Sequence, residues 1–92
     1  MLQDRDFVIY NEQYVYLGGR IHGGCLELTS EVIGDDVYPD SEKHYIFSET
    51  QTEKLFSLIS LEEFVASCQS GHLLWLEHFL RTHGIRPREW VY

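Results

Sequence analysis

The chain has 92 residues, enough for one domain whose core covers roughly two-thirds of the unfolded surface. Apolar residues make up 43% and aromatic residues 14%, which excludes a disordered composition. The net charge of −8 opposes binding to nucleic acid phosphates and to anionic membranes, and it favours a basic partner protein.

That charge is uneven. Residues 1–65 hold thirteen Asp and Glu against four Lys and Arg, a net of −9, whereas residues 66–92 hold two against three. The N-terminus "MLQDRD" is charged, and no apolar run of signal or membrane-span length follows it. Cys25 and Cys68 lie far apart with no CxxC pattern. Both read as reduced thiols, so the expected location is cytoplasmic.

"DFVIY" and "YVYL", residues 6–10 and 14–17, are β-branched and aromatic and flank the polar "NEQ", which predicts a hairpin. Gly18 and Gly19 are expected to break the second strand, and Gly23 with Gly24 to make a further turn. "CLELTSE" alternates, with Leu26 and Leu28 on one side and Cys25, Glu27 and Thr29 on the other. It predicts a half-exposed antiparallel strand. "KHYIFS" predicts another.

Helical signals fill the second half. Ser48 with Gln51, and Thr50 with Glu53, have capping-box spacing, and Leu55, Phe56, Leu58 and Ile59 follow as an apolar cluster. Ser60 with Glu63 opens a second helix whose apolar positions are Leu61, Phe64, Val65 and Cys68. Gly71 is expected to end it. A third helix is predicted over 72–82, with Leu73, Leu76 and Leu80 as its stripe and Gly84 as its stop. Pro87 excludes continued helix, and "EWVY" reads as a last strand. The pattern is α+β: an N-terminal antiparallel sheet of four to five strands packed by about three C-terminal helices, in one domain over residues 1–92.

The chain carries no GxGxxG, Walker A or GxSxG pattern, and no cofactor is expected. His72, His78 and His83 are six and five residues apart, so no two share a helical face at metal-ligand spacing, and no metal site is predicted. Cys68 falls on an apolar stripe, where a thiol stays protonated and inert. Glu62 and Glu63 sit in a first helical turn and complement its dipole.

One stretch has the parts of a binding loop. "IGDDVYPDSEK", residues 33–43, places Tyr38 among Asp35, Asp36, Asp40 and Glu42, with Pro39 restricting the backbone. An aromatic anchor with an acidic rim suits a basic protein partner. Asp35, Asp36, Tyr38, Asp40 and Glu42 are therefore the candidate partner-binding residues. Tyr10, Tyr14 and Tyr16 form a competing face if the first turn keeps its register.

The second half, with its "FS…T.KLFS.ISLEEF" helix pair and "GHLLWLEHFL…HGI" helix, resembles small immunity proteins found beside bacterial polymorphic toxins, including contact-dependent growth inhibition systems. The resemblance covers about half of the chain. It implies a small, cytoplasmic, non-catalytic protein that binds a cognate toxin domain, frequently a nuclease, and blocks its active site or substrate groove. It carries no fixed site residues. Two other classes stay open. One is a ligand-binding or regulatory α+β module, homodimeric through a strand edge. The other is a small enzyme using His44 beside a carboxylate.

Overall fold

A computed structural model of the protein describes residues 3–34 and 40–91. Five strands form one antiparallel sheet in the order β1-β2-β3-β4-β5: β1 Arg5–Asn11, β2 Val15–His22, β3 Cys25–Val32, β4 Ser41–Ile46 and β5 Arg88–Val91. Helices α1 Glu49–Leu58 and α2 Leu61–Thr82 connect β4 to β5. The expected α+β architecture is present, with five strands at the upper end of the expected range.

The core lies between the helices and one face of the sheet. Leu17, Ile21, Leu26, Leu28 and Tyr45 point inward from the strands and meet Leu55, Phe64, Cys68, Leu76 and Leu80. The inward set follows the period of two that strand geometry dictates. Leu26 and Leu28 are the inward residues of β3, as their alternation required. In β1 the register shifts between Val8 and Tyr10, a bulge that buries the successive residues Ile9 and Tyr10.

Two expectations are corrected. Gly18 and Gly19 do not break β2, because the strand runs through them paired on both sides, with β1 and with β3. The turn comes at Gly23 and Gly24, whose φ values of 59° and 80° suit a two-residue hairpin loop closed by His22 and Cys25.

Among the described residues the helices number two, not three. Gly71 does not end α2. The residue that departs from helical geometry is His72, at φ 54° and ψ −153°, so the chain kinks and continues to Thr82. Gly71 serves close packing instead, since a Cβ there would overlap Cβ of Trp75.

The helix ends follow their local chemistry. Ser48, not Thr50, caps α1 in a full capping box with Gln51, and Ser60 caps α2 through the Glu63 amide. At the end of α2, Gly84 takes φ 67° while the Ile85 amide donates to the Leu80 carbonyl and the Gly84 amide to that of Arg81. This is the paired hydrogen-bond pattern of a Schellman stop, and it buries Ile85.

The two sheet edges differ. The β1 edge is bulged, and the Gln69 side chain of α2 donates to the Ile9 carbonyl at 2.8 Å. At the other edge every residue of β5 is exposed. Among the described residues no helix is long and apolar enough to cross a membrane.

Candidate functional site

Of the five predicted partner-binding residues, Asp35, Asp36 and Tyr38 lie outside the described residues. Asp40 and Glu42 are placed. The Asp40 carboxylate accepts from the Gly34 amide at 2.6 Å, which draws the two ends of the β3–β4 connection together. Glu42 belongs to β4 and stands directly opposite Glu31 of β3. Like charges at opposed positions of an antiparallel pair oppose strand pairing. The structure thus joins the acidic connection to something the sequence reading did not reach, the sheet face turned away from the helices.

Cross-strand register fixes the layout of that open face. One row runs Asp6, Arg20, Glu27, Ile46, Arg88 across the five strands. The next runs Val8, Gly18, Thr29, His44, Trp90. The third runs Asn11, Tyr16, Glu31, Glu42, and it adjoins the acidic connection. The outer rows hold the charge, while the middle row is largely neutral and includes exposed Val8 and Trp90.

His44 is the polar centre. Its Nδ1 lies 3.4 Å from a Glu27 oxygen and 3.2 Å from the Thr29 hydroxyl, and its Nε2 lies 3.5 Å from Glu42. The two carboxylate contacts are ion pairs only when the imidazole is protonated. A histidine beside carboxylates is what an acid–base site requires, but here it stands on the open side of a sheet. Arg88 lies over the Trp90 ring, 5.6 Å from its centroid.

Asp6, Val8, Tyr16, Gly18, Arg20, Glu27 and Thr29 line an open groove of about 450 Å³ on this face. Gly18 is its floor. The Tyr16 hydroxyl lies over Gly18, in the space a Cβ would need. The three N-terminal tyrosines do not form one face. Tyr10 is in the core, Tyr14 is exposed in the first turn, and Tyr16 is on the open side. The bulge in β1 breaks the shared parity.

A second groove, of about 580 Å³, lies on the helix side between β4, β5 and the end of α2. Lys43 sits in it, 3.2 Å from Glu89, 3.8 Å from Glu77, and over the Tyr45 ring. Burial lowers the Lys43 pKa, but hydrogen bonds to Tyr45 and Glu89 outweigh it, and the net shift is upward. These partners tie β4, β5 and α2 together.

Among the described residues no group of His, Cys, Asp and Glu is arranged to hold a metal ion. Cys68 is fully buried, and that burial pushes its thiol up to about 12. Cys25 is half-buried on the open face beside His22, whose Nδ1 is 3.2 Å from Asp4.

Compared with known proteins, the chain matches no family model, no curated protein and no solved structure.

Sequence reasoning found the acidic connection and the polar side of β3. It missed Tyr16, His44 and Trp90 as members of one surface. The signal was available in the alternation of β2, but the expected break at Gly18 concealed it.

Proposed function

We propose that the protein is a non-catalytic immunity protein that binds a cognate toxin domain, most consistent with a nuclease, and neutralises it by covering its active site or substrate groove. The observation that carries this reading is the uncovered sheet face, whose carboxylates Glu27, Glu31 and Glu42 adjoin the end of the β3–β4 connection at Asp40; in the sequence that connection also carries Asp35, Asp36 and Tyr38. A groove that attracts phosphates is basic, and an acidic protein surface competes for it. The opposed Glu31 and Glu42 pair fits the same reading, because a partner's cation would relieve a repulsion the isolated sheet must bear. The proposed setting is the cytoplasm, where the resemblance to immunity proteins also points.

The test is co-expression with the toxin domain encoded directly beside this chain. The unaltered chain is expected to restore growth and to co-purify with the toxin at one-to-one stoichiometry. Glu31→Lys combined with Glu42→Lys is expected to lose both. Asp35, Asp36 and Asp40 changed together to Asn report whether the connection shares the contact. A chain that neither protects nor co-purifies would overturn the reading.

A further inference from the structure

Resting on that reading, we infer that the end of the sheet at the β1–β2 turn is the anchor of the contact. Tyr14, Val32 and Ile33 there enter an apolar recess on the bound protein, and lysine or arginine edges that recess.

The backbone comes first. Glu12 and Val15 close the turn by exchanging amide hydrogen bonds of 2.8 and 3.3 Å, which leaves Gln13 and Tyr14 at its tip. Val15 stands opposite Val32 of β3. One position further, the Ile33 amide donates to the Tyr14 carbonyl at 2.9 Å, so the end of β3 is strapped to the tip. A surface held in this way loses little conformational freedom on binding.

What this frame presents is apolar. Tyr14 is 58% exposed, Val32 41% and Ile33 57%. A lone exposed apolar side chain is ordinary, but a run of them across two connected strands marks a contact. Leu58 and Leu74, also exposed, stand on separate helices. The Gln13 side-chain amide donates to the Tyr14 hydroxyl at 3.2 Å and orients the ring. Tyrosine contributes a large contact area with few torsions to fix.

The surroundings decide the partner. Glu12 lies in the turn, Glu31 precedes Val32, and Glu42 stands opposite Glu31. Asp40 accepts from the amide of Gly34, the residue after Ile33. Among the described residues neither Glu12 nor Glu31 has an ion pair. The cations lie elsewhere. Arg5 and Arg20 pair at the far end of β1 and β2, and Lys43 is engaged with Glu77 and Glu89. An apolar knob inside an uncompensated acidic rim fits a recess with a basic edge. A second copy of the chain would bring the same acids against these, so the occupant is a basic protein rather than another copy.

Two measurements test this. In ¹⁵N-resolved spectra of the full chain at low salt, a heptapeptide alternating lysine and leucine is expected to shift the Tyr14, Val32 and Ile33 amides. A peptide of equal charge alternating lysine and serine should shift them several-fold less, and Ile33→Ser should abolish the difference. Equal shifts with both peptides, or shifts centred on Val8 and Trp90, would remove the anchor. Against the proposed toxin partner, Tyr14→Ala and Ile33→Ala are each expected to weaken binding about tenfold or more, chiefly through faster dissociation, with the urea midpoint unchanged. Tyr14→Phe keeps the ring and should bind like the unaltered chain, as should Leu74→Ala on α2. Unchanged binding by both Tyr14→Ala and Ile33→Ala would discard the anchor while leaving the inhibitor reading intact. No binding by the unaltered chain would discard that reading and, with it, the partner assigned to the anchor.

Discussion

His72 and Gly71 occupy each other's natural roles. His72 holds φ 54° and ψ −153°, a region open mainly to glycine, while Gly71 stays helical beneath Trp75. The edge-on contact between the Tyr10 and His72 rings, centroids 5.0 Å apart, helps hold the kink. His72→Gly relieves the backbone but loses that contact. We expect a net gain of about 1 kcal/mol, read from the urea midpoint. Gly71→Ala forces a methyl into Cβ of Trp75 and should cost about 1–3 kcal/mol in the same assay. A neutral Gly71→Ala would show that the two helix halves move apart freely. Cys68 gives a second expectation at this scale. Its thiol titrates at about 12 in the folded chain against an ordinary 9.0, because burial penalises the thiolate. The unfolded chain therefore releases this proton first, so stability is full below pH 9 and falls as pH rises toward 12. Tyr10 and Tyr45, both raised mainly by burial, and Lys43, also raised, push in the same direction. Urea midpoints between pH 8 and pH 11 should fall, and Cys68→Val should make the fall shallower. An equally steep fall in the variant would mean that Cys68 is not the source.

Between elements, Thr52 is the tie that fixes α1 on the sheet. It is fully buried, its hydroxyl accepts from the Leu26 amide at 3.0 Å, and it donates to the Ser48 carbonyl at 2.8 Å. Thr52→Val keeps the shape and strands the Leu26 amide without a partner. The expected loss is about 1–3 kcal/mol, with faster hydrogen exchange at Leu26. Slow exchange at Leu26 in that variant would contradict the role. This tie was invisible in the sequence, because Thr52 and Leu26 are distant in the chain and nothing local marks a threonine as a buried acceptor. What could be read was local. The alternation of Leu26 and Leu28, the caps at Ser48 and Ser60, and the stop at Gly84 each depend on residues within a turn of one another. The Gly18 and Gly71 misreadings share a cause. Both glycines look like punctuation, yet each is held in a regular element by a neighbouring aromatic, Tyr16 or Trp75. The candidate site was legible only as an acidic stretch. Its extension over the open face needed the pairing of β2 with β3 and of β3 with β4, which is a property of register rather than of composition.

At the scale of the whole molecule, the fold converts an uneven charge along the chain into an uneven charge in space. The sheet face and its adjoining connection gather Glu27, Glu31, Asp40 and Glu42, whereas the corner where α2 meets β5 gathers Lys43, Arg81 and Arg86 beside Glu77 and Glu89. A partner approaching with a basic groove is attracted by the first and turned away from the second, so the field orients it before contact. Such steering acts on encounter, which salt screens, more than on the closed complex, where short-range packing dominates. Stopped-flow mixing with the proposed toxin partner at low and high salt separates the two. The association rate is expected to fall at least tenfold between about 50 and 500 mM salt, while the dissociation rate changes only a few-fold. Glu31→Gln with Glu42→Gln should lower the low-salt association rate and flatten its salt dependence. An association rate indifferent to salt would mean that the carboxylates do not guide the encounter. Recognition would then rest on the neutral middle row of the open face, with its exposed Val8 and Trp90.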